Sequence, residues 1–209
     1  MLLDALSKER LRPYVLASGH NESTALELYG WNLRVSAAFY PLLATTEVVL
    51  RNAVSDKIRA KHGKTWWEND AFHSVVGGKA KGMVLRARNK RAQEKGQVSH
   101  GCMVAELTFG FWANMLLAKY ERHYWTPLVD AFPDIPASVT YRDLSAKCDR
   151  VTSLRNRIFH HEPMFKRNIT KDYSDTLALV SWLSPDAALW IKPRLQIMAI
   201  LRQRPRHHS

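Results

Sequence analysis

The sequence predicts an all-α bundle, and three observations carry that prediction. Apolar residues recur at steps of three and four along most of the chain. No stretch alternates apolar with polar residues, and no Asn-Gly or Asp-Gly pair offers a hairpin turn. No internal repeat or low-complexity segment is present, which argues against a solenoid.

The elements follow in order. Ser7 precedes Lys-Glu-Arg and reads as the N-cap of a short helix ending near Gly19. Asn21 to Ser23 caps a second start. From there Leu26, Leu28, Trp31, Leu33, Val35, Phe39, Leu42, Leu43, Val48, Val49, Leu50, Val54 and Ile58 form one long helical pattern closing at Gly63. Pro41 lies inside it and is expected to kink or split it, because proline removes a backbone donor and clashes with the preceding turn. Lys64-Thr65-Trp66-Trp67 reads as an aromatic loop. A strongly basic helix is expected over about 78–96, between Gly77 and Gly96. After a turn at Ser99 to Gly101, a further helix is expected from about Val104 to Tyr124, and Pro127, Pro133 and Pro136 mark a loop. A helix from about Tyr141 to His160 or His161 carries the stripe Leu144, Cys148, Val151, Leu154 and Ile158, and Pro163 stops it. Asp172 to Leu183 and Asp186 to Leu201 read as two closing helices around Ser184-Pro185, before a basic tail, Arg202 to Ser209, expected to fray. No shift in composition marks a boundary, so residues 1–209 read as a single domain.

Hydrophobic residues make up 46% of the 209 residues, enough for a real core. Charge is the unusual quantity: 31 Lys and Arg against 19 Asp and Glu leave +12. A field of that sign favours polyanions, either nucleic acid or an anionic membrane surface. Cys102 and Cys148 stand far apart and in no CxxC pattern, which excludes a disulfide scaffold and a zinc ribbon. Acidic and basic residues come too early for a signal peptide, and the longest uncharged run, Val35 to Thr46, is short of the roughly 20 residues a bilayer needs. A soluble, cytoplasmic chain is expected. The histidines show no HExxH or paired ligand spacing, so no metal and no cofactor are expected.

The densest chemistry is Ser153-Leu154-Arg155-Asn156-Arg157-Ile158-Phe159-His160-His161-Glu162-Pro163. Asn156 and His160 share one helix face; Arg157 and His161 share a neighbouring one. Arg155 and His160 stand about 140° apart on an ideal helix, so they converge only if the last turn unwinds or two copies of the helix meet. RNA carries its own nucleophile in the 2′-hydroxyl. A protein that cuts it without metal must supply a proton acceptor and donor, and positive charge for the developing phosphorane. Histidine suits the first task because it titrates near neutrality. Arginine suits the second because its planar fork matches phosphate oxygens. A protonated histidine also gains from the negative end of the helix dipole and could act as a general acid. The same residues equally suit a plain helix cap and surface turn.

Arg155-Asn156-Arg157-Ile158-Phe159-His160 resembles the Arg-Asn-x-x-x-His form of the Arg-x(4–6)-His motif of the HEPN superfamily. LRNRIFHHEP resembles the Abi-like (AbiD/AbiF type) abortive-infection proteins within it. Three more segments resemble that family: Leu11-Arg12-Pro13-Tyr14 with Ala25-Leu26-Glu27-Leu28-Tyr29-Gly30-Trp31-Asn32, then Glu47-Val48-Val49-Leu50-Arg51-Asn52-Ala53, then Glu106-Leu107-Thr108-Phe109-Gly110-Phe111-Trp112. The resemblance runs in order from about residue 8 to 200. It implies a HEPN-like helical bundle with additional helices. It also implies a homodimer with the two motifs facing across a cleft, and metal-independent transesterification of RNA to a 2′,3′-cyclic phosphate. A role in phage defence, or as the toxin of a toxin–antitoxin pair, is implied too; the antitoxin would be a protein or a small RNA. On this resemblance Arg155 would stabilise the phosphorane, His160 would handle the proton, and Asn156 would orient them. Arg155 to His161 fits the looser spacing as well, so His161 stands as the alternative histidine.

Other features keep two readings. Arg86, Arg88, Lys90 and Arg91, with Lys79, Lys81 and Lys95, form a run opposed locally by Glu94 alone; it is either a phosphate-tracking face or a solvated one. Arg157, Lys166 and Arg167 are placed closer to the motif for RNA contact. Glu47 and Arg51, with Asn52 beside them, form a plain helix ion pair, or, as the resemblance implies, Glu47 reaches the active cleft. Trp66-Trp67 and Phe109-Gly110-Phe111-Trp112 either stack bases or fill the core. The rival to an endoribonuclease is a non-catalytic RNA- or DNA-binding helical protein in which Arg155 and His160 only hold phosphate. A third reading makes the chain a helical interaction module whose motif is a cap.

Overall fold

The computed structural model describes residues 5–205; the last part of the basic tail, 206–209, lies outside them. The described residues form ten α-helices and no strand: α1 (Lys8–Ala17), α2 (Glu22–His62), α3 (Asp70–Lys95), α4 (His100–Glu106), α5 (Phe109–Asn114), α6 (Glu121–Val129), α7 (Tyr141–Phe159), α8 (Ile169–Leu183), α9 (Pro185–Ile191) and α10 (Ile197–Leu201). The fold is all-α.

Local chemistry sets most starts. Ser7, Asn21, Asn69, Ser99, Thr108, Thr140, Asn168 and Ser184 each place a side-chain oxygen on a backbone N–H of the first turn. Gly63 and Gly96 end α2 and α3 with positive φ, where a side chain would be strained.

Helix α2 is the spine. Its 41 residues span about 60 Å, and α1, α5, α6, α8, α9 and α10 pack onto it. By length and composition it could cross a bilayer; here Leu28, Trp31, Val35, Phe39, Leu42, Leu50, Val54 and Ile58 lie buried in the core. Pro41 does not split it. Pro41 and Ala37 both face solvent, so the Ala37 carbonyl that loses its helical donor lies on the water side. The Thr45 hydroxyl adds a hydrogen bond to the Pro41 carbonyl.

Several expected boundaries move. The basic helix starts after Gly77 as expected, but a further helical stretch from Asp70 precedes it within α3. The two meet at a sharp break at Gly77 (φ 72°, ψ −179°), a conformation open essentially to glycine alone. The expected Val104–Tyr124 helix is divided among the end of α4, all of α5, a 3₁₀ turn and the start of α6. Thr108 caps a new start there and seats Phe109, Phe111 and Trp112 inside. Pro127 belongs to α6, not to a loop, because it sits past the middle of a short helix. The last expected helix is likewise broken, at Lys192–Arg194, where Pro193 ends α9.

The aromatic residues fill the core. Trp66 meets Phe72 at 5.1 Å and Trp112 at 5.8 Å between ring centroids, edge to face. Trp66 and Trp67 form a buried 3₁₀ turn, and Phe109, Phe111 and Trp112 are buried as well. None of these five rings is open to stack a base.

Candidate active site

Helix α7 carries the motif, and both of its ends are fixed by local bonds. At its start, the Thr140 hydroxyl accepts from the Asp143 N–H at 3.2 Å, while the Asp143 carboxylate accepts from the Thr140 N–H at 2.9 Å. Its stripe Leu144, Cys148, Val151, Leu154 and Ile158 is buried, facing α5 and α8. At its end the backbone closes in a Schellman turn. The Glu162 N–H donates to the Arg157 carbonyl at 2.9 Å, and the His161 N–H donates to the Ile158 carbonyl at 3.0 Å. His161 holds the left-handed position of that turn, φ 56°, where glycine is usual.

Distant residues brace the turn. Arg10 of α1 donates one guanidinium N–H set to the carbonyls of His160 (3.1 Å) and His161 (3.0 Å). Buried Asn32 of α2 accepts from the Met164 N–H at 2.6 Å. Arg157 donates to the Pro163 carbonyl at 3.1 Å and pairs with Glu162 at 3.3 Å. Arg167 forms a two-bond fork with Asp172, both at 2.7 Å, and reaches the Ser153 hydroxyl of α7. Arg157 and Arg167, placed by sequence near RNA, are thus each paired with a carboxylate, the half-exposed Glu162 and the buried Asp172. Lys166 is exposed and has no ion-pair partner among the described residues.

Arg155 leaves α7 toward α2. With Glu47 and Arg51 it lines a pocket of about 310 Å³ whose walls include Tyr40, Val48 and Phe159. The Arg155 guanidinium lies over the Phe159 ring at 4.3 Å. Among the described residues the guanidinium's only hydrogen bond is a long 3.5 Å contact to the Asn156 side-chain oxygen. The Nε atoms of Arg155 and Arg51 are shielded from solvent and bonded to nothing. Glu47 and Arg51, one turn apart, form no ion pair within 4 Å among the described residues, so a simple helix pair does not account for them. Three charged side chains from two helices thus converge without satisfying one another. Only the two Nε donors are buried, each at a cost of roughly 1–3 kcal/mol, while the rest of the three side chains is partly exposed and open to a ligand.

His160 and His161 do not line this pocket. His160 is the C-cap of α7, and both residues are exposed. The turn that ends α7 stays wound, and among the described residues no hydrogen bond or shared pocket joins either histidine to Arg155.

The basic run is partly neutralised from outside itself. Arg88 bonds Glu68, and Lys90 and Arg91 both reach Glu106, whose carboxyl is held below its ordinary range, first by the Lys90 bond. Arg86, Lys79, Lys81 and Lys95 remain exposed. Helix α3 packs on α4 and the Trp66 turn. Among the described residues no group of three His, Cys, Asp or Glu side chains could hold a metal ion.

Sequence reasoning missed Arg10 and Asn32. Arg10 gave no signal, being one more cation on an exposed face. Asn32 gave a faint one, as a polar side chain directly beside Trp31 on a stripe that is otherwise apolar. Compared with known proteins, the chain matches no family model, no curated protein and no solved structure.

Proposed function

We propose that this chain is a metal-independent endoribonuclease with a HEPN-like site, acting as a toxin in phage defence or in a toxin–antitoxin pair. The observation that carries the reading is the convergence of Arg155 and Arg51, both with unsatisfied N–H groups, at one pocket beside the motif helix. The Arg155 fork suits a phosphate that gains charge as it becomes pentavalent, and Arg51 adds positive charge beside it. In the reaction the 2′-oxygen bonds to phosphorus and the bond from phosphorus to the 5′-oxygen breaks. A neutral imidazole takes the 2′-hydroxyl proton, and a protonated one gives a proton to the departing 5′-oxygen. His160 is the imidazole chosen, with His161 as the alternative.

His160 lies outside the pocket that Arg155 lines, and a homodimer in which a second copy brings its helix end across would supply the imidazole. Exposed Leu33 and Val48 on α2, and Phe159 on α7, give that contact an apolar surface. A light-scattering mass of two chains is expected; a monomer that still cleaves RNA would remove the second copy from the mechanism.

The test is cleavage of labelled total RNA in EDTA by wild type, His160→Ala and Arg155→Ala. Wild type is expected to cut and leave cyclic-phosphate ends. Each variant should lose roughly a hundred- to ten-thousand-fold in rate while still binding RNA. The absence of His160 from the lining of the Arg155 pocket favours a second reading, a non-catalytic RNA-binding protein whose arginines only hold phosphate. RNA binding by all three proteins with cutting by none would select it.

A further inference from the structure

We propose that the pocket between α2 and α7 is a guanine-recognition site, with Glu47 reading the Watson–Crick edge of the base and Arg51 its O6/N7 edge. The inference rests on the ribonuclease reading only in placing that base beside the scissile phosphate; base recognition itself stands on the pocket.

The argument starts from charge balance. A site built for phosphate alone would exclude a carboxylate, yet Glu47 lines this pocket with Arg51 and Arg155 and pairs with neither. A carboxylate at neutral pH only accepts hydrogen bonds, and it accepts two side by side. Guanine alone among the RNA bases offers two adjacent donors on one edge, N1–H and the 2-amino group. Adenine and cytosine set a donor beside an acceptor, and uracil sets one donor between two acceptors. The neighbouring edge of guanine, O6 and N7, presents two acceptors that match an arginine fork. Glu47 and Arg51, one helical turn apart on α2, give an acceptor pair and a donor fork side by side.

The pocket also has a stacking wall. Tyr40, 61% exposed, lines the same pocket, and unpaired bases bind proteins largely by stacking on such rings. Arg155 is held against Phe159, which leaves Arg51 as the guanidinium free to meet the base and Arg155 as the one for phosphate.

The test is equilibrium binding of 5′-GMP, AMP, CMP and UMP to the full chain, wild type and Glu47→Gln, which requires no cleavage. Wild type is expected to hold GMP about tenfold tighter than the other three. Glu47→Gln, which puts an amide donor against a donor edge, should bring GMP to the level of AMP. Equal binding of all four, binding of none, or an unchanged GMP preference in Glu47→Gln would overturn the proposal. If Glu47→Gln fails to fold by circular dichroism, the wild-type comparison still decides. A GMP preference without RNA cleavage would keep the guanine site and sink the ribonuclease. Cleavage without a base preference would do the reverse.

Discussion

His161 occupies a left-handed backbone position because a Schellman turn requires one, and an imidazole there carries a strain that glycine would not. This supplies a clean way to separate the two histidines. His161→Gly should raise stability by about 1 kcal/mol, read as a shift in urea midpoint, while deleting one imidazole and leaving the Arg10 bonds to the carbonyls in place. If cleavage survives that change, His160 is the working histidine; if it vanishes in the more stable protein, His161 is. The ambiguity was built into the sequence, since Arg155-x(4)-His and Arg155-x(5)-His both fit and spacing cannot see a left-handed φ. Arg155 itself was legible as a cation beside a histidine. That its partners in space are Glu47 and Arg51 of another helix was suggested only by resemblance, because residues more than a hundred positions apart leave no periodic trace.

Helices α7 and α8 are locked together by charge as well as by apolar packing. Asp175 of α8 meets Lys147 (2.6 Å) and Arg150 (3.0 Å) of α7, and Lys171 of its own helix (3.2 Å). Burial alone would raise its carboxyl pKa, but the bonds from Lys147 and Lys171 outweigh burial and hold it below the ordinary 3.8. A folded pKa below the unfolded one stabilises the protein above the unfolded value, and that gain fades as pH falls through the folded value. Asp175→Asn is therefore expected to cost about 1–3 kcal/mol at pH 7. The gap between the two proteins in urea should narrow as pH falls below 3.8 and close only below the folded value; a gap that does not narrow at all would show the cost to be packing. At this scale the sequence spoke most clearly. The stripe Leu144, Cys148, Val151, Leu154 and Ile158 marked α7 nearly to its ends, since Thr140 caps it and Pro163 forbids continuation. Breaks at Leu107 and Pro193 were obscured because helical spacing continues across them, and only the cap Thr108 hints at a separate start. Gly77 marked its own break, but the helical stretch before it went unread although Asn69 caps it.

For the molecule as a whole, +12 is the sum, but the fold decides which charges remain to meet a polyanion. Arg88, Lys90, Arg91, Arg157 and Arg167 are engaged by carboxylates, whereas Arg86 and Lys166 are exposed without such partners. Neutralising Arg86 or Lys166 to Gln should lower the slope of log affinity for single-stranded RNA against log salt by about 0.7 each. Arg167→Gln and Lys90→Gln should leave the slope nearly unchanged; an equal loss from all four would mean the ion pairs open on binding. Linear sequence overstated this surface because Glu68 and Glu106 flank the run from other elements. The buried stripe of α7 has one more consequence. Burial pushes the Cys148 thiol up to about 12, so it offers almost no thiolate while the protein is folded. Cys102 is partly exposed, and its thiol is drawn below its usual range, chiefly by the Ser99 hydroxyl. The chain thus contains a slow and a fast alkylation site. The ratio of their labelling by a thiol reagent reports how often α7 leaves the core, with no added probe and inside living cells as readily as in a cuvette.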